Sequence, residues 1–321
     1  MITLPEFTEN ADYEKGFASH FKAKIAPILE NLESMRLVQY AAYKKRLAIG
    51  IPLGIAIFLG AGFMSAQTNG DGEDIFKVAL FLCALIGGWV YIPIRLYKQE
   101  VKSKFMPVIC EFFGTMTYSL TGTSSVETQY SGEIFPSFTS CVTEDFVAGE
   151  YKAIKMNLHE TTLKQRQGKH TVTVFQGLVI DIGFPKNFQG KTLLIKDGGT
   201  IGNFFEGDDF KGLQRISLED PEFEKIFQVF GSDQVEARFL LTTAFMERLL
   251  SLAKLRSPSS TPKVQCVFEK NSLIISIPCR QDLFEPRGIA QSALQVDDLH
   301  TFLQQMHEVF LLIDVLKLQR L

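Results

Sequence analysis

Catalytic and metal-binding side chains are scarce in this chain. Its 321 residues include five histidines, five cysteines and one tryptophan, Trp89. The cysteines (Cys83, Cys110, Cys141, Cys266 and Cys279) are odd in number and far apart, and none forms a C-x-x-C pair. That spacing argues against a disulfide scaffold, a zinc ribbon or a thioredoxin-like motif, and it fits a reducing compartment. His20, His159, His170, His300 and His307 include no H-E-x-x-H, and no G-x-S-x-G marks a nucleophile elbow. A surplus of either charge is also missing. Lys and Arg number 33 against 36 Asp and Glu, for a net −3, without the basic excess of a nucleic-acid binder.

Two partial motifs fall short of a site. Gly190-Lys191-Thr192 resembles the end of a phosphate-binding P-loop, but Pro185 stands where that motif needs its first glycine. Asn69, Asp71 and Glu73 alternate oxygen groups but lack the glycine and distal glutamate of a calcium loop. No catalytic residue, cofactor or metal site is expected, and nucleic acid is not an expected partner.

What the chain does have is two long apolar runs. Mean hydropathy is +0.09 although 21% of the residues are charged. Leu47–Ala66 is twenty residues without a charge and Val78–Ile94 is seventeen. A helix rises about 1.5 Å per residue, so about twenty residues match the hydrocarbon thickness of a bilayer. The second run reaches that length from Ile75, which admits Lys77 at a level where it can snorkel. The first run starts too late, and follows too many acids, to be a signal peptide. Arg36, Lys44, Lys45 and Arg46 precede span one, and Arg95, Lys98, Lys102 and Lys104 follow span two. The connection Gln67–Asp74 holds acids and no Lys or Arg. The positive-inside rule then puts both termini in the cytoplasm. Small residues recur four apart, at Gly50, Gly54, Ala56 and Gly60 and again at Ala79, Cys83, Ala84 and Gly88. Gly50, Gly54, Gly60, Ala84 and Gly88 are the expected helix-packing positions, within the hairpin or between copies.

Flanking segments extend the spans. Phe17, Phe21, Ile25, Ile28, Leu29, Leu32 and Met35 recur at helical spacing, so residues 13–46 read as an amphipathic helix running into span one. Span two continues toward Phe113, and polar Thr115–Ser131 reads as a linker. Alternating residues then predict strands at 154–158, 172–182 and 191–196, with a turn at Lys164–Lys169. A Gly-rich stretch, 197–212, precedes helices at Pro221–Ile226, from Ser232 or Asp233, and at Thr243–Leu255. PSSTP at 258–262 reads as a loop. A hairpin around Lys270-Asn271 and a terminal helix, Val296–Leu318, complete the pattern. The fold class is α+β: a transmembrane helical hairpin with long cytoplasmic helical extensions and a cytoplasmic mixed α+β domain. The expected divisions are a cytoplasmic helix 1–46, the hairpin 47–96 (spans about 47–66 and 75–94), an extension and linker 97–131, and the α+β domain 132–321. Within that domain, Lys164, Arg166, Lys169 and His170 form a basic hairpin tip suited to anionic headgroups. Asp233, Glu236 and Arg238 form a charged cluster suited to a partner surface.

Several blocks occur together in order: Val174–Leu178 with Phe188–Thr192, Asp220–Lys225 leading to Asp233–Arg238, and Leu283–Pro286. They resemble a bacterial two-span inner-membrane family catalogued as domain of unknown function 3137. The resemblance covers most of residues 100–315. It implies a bacterial inner membrane, a cytoplasmic domain and a LemA-type membrane protein as a partner, and it supplies no catalytic or cofactor residue.

The sequence thus points to a membrane-anchored adaptor or regulatory module that binds a protein partner or the bilayer surface, or self-associates through its spans. One alternative is an enzyme whose site gathers groups such as His159, Asp181, Asp233 and Arg238. Another is an oligomeric transport or channel component.

Overall fold

The computed structural model describes residues 5–67, 72–122, 133–196, 209–218, 221–224, 226–256, 264–279, 288–292 and 296–318. Residues 68–71, most of the polar linker, 197–208, Asp220, the 258–262 loop and the Leu283–Pro286 block lie outside the described residues. Two compact units make up the chain. One is Met1–Thr8, Ala18–Met106 and Glu285–Val296; the other is Glu9–Phe17, Pro107–Phe284 and Asp297–Leu321.

The first unit is a helical hairpin. A short helix α1 (Phe17–His20) and a π-turn (Phe21–Ile25) lead into α2 (Ala26–Gln67). Pro27 follows closely on the π-turn, where the missing N–H interrupts the helical ladder. Pro52 lies in the helix interior and removes the N–H that would bond the Ala48 carbonyl. The partner helix α3 (Gly72–Cys110) starts with Glu73 and Asp74, acids that favour the positive N-terminal dipole. At 42 and 39 residues, the helices span about 63 and 58 Å. Near the start of α2, Glu33 and Arg36 are only 6% and 7% exposed. The Arg36 guanidinium donates twice to the Glu33 carboxylate, at 2.9 and 2.7 Å, and once to the Ile289 carbonyl at 2.7 Å. The Ser292 hydroxyl donates to the same carboxylate at 3.4 Å. Buried charges need this kind of satisfaction, and here it fastens residues 288–292 to α2. Nearby Tyr97 is buried, which pushes its phenol up to about 12.

The second unit is a ten-stranded sheet. In chain order the strands are β1 (Thr117–Ser119), β2 (Ser140–Tyr151), β3 (Ile154–Gln167), β4 (His170–Gly183), β5 (Thr192–Lys196), β6 (Asp209–Phe210), β7 (Leu213–Ile216), β8 (Phe227–Gly231), β9 (Gln265–Glu269) and β10 (Ser272–Pro278). Their spatial order is β1-β2-β3-β4-β10-β9-β5-β8-β7-β6, with antiparallel pairing throughout. Helices α4 (Pro221–Glu224), α5 (Gln234–Leu240), α6 (Thr243–Arg256) and α7 (Asp297–Leu318) complete the unit.

The central strands of the sheet are buried on both faces, which explains the nearly unbroken apolar runs of β9 and β10. On one face Leu163, Phe175, Val179, Ile274, Val267, Leu193, Phe230 and Leu213 form a stripe that packs with Ile134 and Phe135. On the other, Met156, Leu158, Ile180, Ile182, Ile275 and Phe268 are buried. There Phe245 of α6 meets Phe268 at 5.5 Å, and Phe310 of α7 stacks on Tyr151 at 4.2 Å.

The structure departs from the sequence-based expectations in several places. Part of the polar linker, Thr117–Ser119, pairs with β2 as an edge strand. The basic tip is a tight turn at Gly168-Lys169, because β3 runs on to Gln167 and β4 resumes at His170. The helix at Pro221 stops at Glu224, and the unexpected β8 follows. Its five residues are too short to show a period.

Gly177 marks a close approach. A Cβ there would overlap the Ile277 carbonyl oxygen and lie 2.8 Å from Pro278 Cα, whereas at Gly183 nothing comes closer than 3.8 Å. Gly177→Ala is expected to lower stability by about 3 kcal/mol in urea unfolding of the full chain, and Gly183→Ala to change it little.

Candidate functional site

The helical hairpin is the first candidate. Both helices are long and apolar enough to cross a membrane, and only 11% of the most apolar window of each is buried. Core helices of soluble proteins bury that stripe; here Ile51, Leu53, Ile55, Phe58, Leu59 and Phe63 on α2, and Val78, Leu80, Phe81 and Leu85 on α3, stand exposed. A narrow seam joins the helices. A Cβ on Gly50 would sit 2.9 Å from Val90 and 3.1 Å from Ile86. The Cys83 thiol points at the Gly54 carbonyl at 3.9 Å, and Phe58 meets Phe76 edge-on at 5.8 Å. At one end Arg46 donates to the Trp89 carbonyl at 2.8 Å and lies over its indole at 5.1 Å. Gly60, Ala84 and Gly88 are exposed on the outer faces of the hairpin, and a Cβ on Gly60 or Gly88 would meet nothing within 4 Å.

The second candidate is the loop at Gln189-Gly190-Lys191. Asp233 caps α5, its carboxylate accepting from the N–H groups of Val235 at 2.8 Å and Glu236 at 3.0 Å. That places Glu236 so that its two oxygens accept from Gln189 N at 2.6 Å and Gly190 N at 2.7 Å. Ser232 Oγ accepts from Lys191 N at 2.9 Å. Three successive amides that resemble a phosphate cradle are therefore held by the chain's own side chains. The Lys191 ammonium pairs with Glu133 at 2.6 Å and Glu269 at 3.4 Å. Thus the carboxylates of Asp233 and Glu236 bond backbone, while Arg238 stays exposed beside Val235 and Phe239, which are 79% and 48% exposed.

The remaining sequence-derived residues disperse. His159 is 1% exposed, stacked on Phe146 at 5.6 Å, with Nδ1 2.8 Å from the Thr161 hydroxyl. Burial pushes its imidazole down to about 4, so it is neutral at pH 7. Asp181 pairs with Asn157 in the adjacent strand. Asp233 and Arg238 follow β8, four strand spacings from β4, about 19 Å away. The four groups of the enzyme alternative are not brought together. Beside His159 a bulge puts Asp145 at φ 53, where its carboxylate accepts from Tyr118. Burial, with that hydrogen bond, pushes the Tyr118 phenol up.

Lys164, Arg166, Lys169 and His170 share the β3–β4 tip. Arg166 Nε donates to the Gly168 carbonyl at 3.2 Å. A cleft of about 110 Å3 along β2–β4, lined by Val142, Glu144, Glu160, Thr162, Gln176 and Cys279, is smaller than the roughly 300–1,000 Å3 of a ligand pocket. Glu14, unmarked by any pattern along the chain, is 1% exposed and meets His300 Nδ1 at 2.7 Å. Burial would raise its carboxyl, but His300 and the Asn10 N–H outweigh this and hold it below the usual range. Tyr13 stacks on His307 at 4.6 Å. Both helix α7 histidines thus anchor the 3-10 turn Asp12–Glu14. Among the described residues no group of three His, Cys, Asp or Glu side chains is placed to hold a metal ion.

The architecture is that of a mixed α+β protein with two long apolar helices near its N-terminus and an antiparallel sheet domain with helices. Residues 173–318 match the model of a family described as Protein of unknown function (DUF3137), the family that the residue blocks resemble. No curated protein matches the chain. A crystal structure of the mycobacterial trehalose monomycolate transport factor A, TtfA, is similar at 9% identity and a TM-score of 0.31, over 62% of this chain and 91% of that one. A likeness at that level assigns neither fold nor role.

Two side chains give measurable expectations. Glu236→Ala leaves two backbone N–H groups without their acceptor and should lower stability by about 1–3 kcal/mol, with Glu236→Gln losing less, in urea titrations. For His159, the unfolded chain takes up a proton near pH 6.5 that the folded chain refuses until about pH 4. The stability present above pH 6.5 is therefore lost as pH falls through that window. His159→Leu should flatten the fall in stability between pH 6.5 and 4.5.

Proposed function

We propose that this chain is an integral membrane protein of the bacterial inner membrane, anchored by α2 and α3, with both termini in the cytoplasm. In this reading its sheet domain is a binding module, an adaptor or regulator, held at the bilayer. The observation that carries the reading is the exposure of the apolar side chains on both helices, which a bilayer would cover and a soluble core would have buried. The positive charges at 44–46, 95 and 98 and the acids at 71, 73 and 74 set the orientation. Binding is favoured over catalysis because His159 is buried and neutral, Asp233 and Glu236 bond backbone, and the groups of the enzyme alternative lie apart. The exposed face of α5, with Val235, Arg238 and Phe239, is the proposed partner surface, and a LemA-type membrane protein is the proposed partner to test against it.

The test is extraction and topology. The full chain should stay with membranes at alkaline pH and high salt. A reporter active only outside the cytoplasm should work when inserted at Gly70 and fail when fused at the C-terminus. Release at alkaline pH would overturn the anchor, and a working C-terminal fusion would overturn the orientation.

A further inference from the structure

The helical unit carries a second pattern besides its apolar faces. Acidic residues are absent from Ser34 to Gln67 on α2 and from Ile75 to Gln99 on α3. Apart from Lys77 near the acidic end and Arg36, which is paired to Glu33, the cations in these stretches are Lys44, Lys45, Arg46, Arg95 and Lys98.

Contacts across the hairpin fix their levels. Gly50 lies against Ile86 and Val90, and Arg46 reaches the Trp89 carbonyl at 2.8 Å. Position 46 is therefore level with about position 90, Arg95 with about 42 and Lys98 with about 39. The five cations fall in a band about 10 Å tall at 1.5 Å per residue. A headgroup layer is about 5–8 Å thick on each side of the hydrocarbon, so the band covers one such layer and overshoots it by a few Å, within reach of flexible Lys and Arg side chains. Tyr40, Tyr43, Trp89 and Tyr91 share it, as interfacial aromatics do. Lys44 lies 4.6 Å from the Tyr40 ring centre and Arg46 5.1 Å from that of Trp89. These contacts hold charge at the rim of the apolar surface. Lys44, Lys45 and Arg95 are exposed.

We propose that this band is a binding site for anionic phospholipid headgroups, the cations meeting lipid phosphates around the base of the hairpin. The proposal rests on the membrane reading above. Its occupant follows from charge complementarity and from continuity with the apolar surface, which lipid tails cover and an acidic protein would leave bare. Each basic residue near an anionic surface contributes about fivefold in binding, so the band as a whole should retain anionic lipid selectively.

The experiment uses the full chain in nanodiscs of phosphatidylcholine with phosphatidylglycerol at 3:1. After mild detergent extraction, native mass spectrometry counts the lipids that stay bound. In wild type the ratio of bound phosphatidylglycerol to bound phosphatidylcholine should be at least tenfold above the bulk ratio. Lys44→Gln/Lys45→Gln/Arg95→Gln/Lys98→Gln should lose that enrichment. Lys22→Gln/Lys24→Gln, outside the band, should keep it. The charge-retaining set Lys44→Arg/Lys45→Arg/Arg95→Lys/Lys98→Arg should keep it too. If the neutral set does not insert, wild type in 0.5 M salt serves instead and should lose the enrichment. Insertion with no preference for phosphatidylglycerol in wild type overturns the lipid site and leaves the anchor standing. Equal enrichment in wild type and the neutral set overturns the residue assignment. Failure of wild type to insert at all overturns the membrane reading on which the site rests.

Discussion

Leaving a leucine, isoleucine or phenylalanine in water costs about 1.5–3 kcal/mol relative to burying it. Helices α2 and α3 turn twenty large apolar side chains outward, against four elsewhere among the described residues. A contiguous apolar surface of that extent marks an interaction or membrane site, and the proposed bilayer would cover it. Other features of the helical unit are arranged around the same constraint. The seam at Gly50 is narrow, and the apolar side chains outside it face outward. Arg46 caps a carbonyl where the apolar stretch ends, and the buried Glu33–Arg36 pair appears only beyond the apolar stretch.

The sheet unit follows a different rule, in which the central strands are covered on both sides by the chain itself. Ile134 and Phe135 are as buried as those strands. Three of its buried polar groups have side-chain partners: His159 has Thr161, Asp145 has Tyr118 and Glu14 has His300. The last two join separate elements, β2 with β1 and the 3-10 turn with α7. A cluster of reactive side chains in this unit would leave polar groups exposed or unsatisfied; instead they are spread singly through the fold.

The apolar helices were legible in the sequence because length and absence of charge are local properties. So were β3, β4, β5, the β9–β10 hairpin and α7, whose periods run long enough to be read. Residues Phe227–Gly231 and Thr117–Ser119 were not, because three to five residues carry no period and owe their extended form to a neighbouring strand. Glu14 and Glu33 illustrate the same limit for charge. Nothing in their surroundings along the chain marks them as buried; His300, which meets Glu14, and Ser292, which donates to Glu33, lie more than 250 positions away. Pro185 was enough to discount a phosphate loop, but the stronger reason, that Glu236 already occupies the amides, lies 46 and 47 positions along the chain.

That occupancy has a consequence for any anion in solution. Glu236 is a tethered competitor, present at the Gln189–Gly190 amides at an effective concentration that is millimolar even for flexibly linked groups and higher for one fixed by the Asp233 cap. A free phosphate has to displace it at the cost of the bond between β5 and the start of α5. Millimolar nucleotide or inorganic phosphate therefore meets a competitor already in place at this loop, because the amides of Gln189, Gly190 and Lys191 are bonded inside the fold.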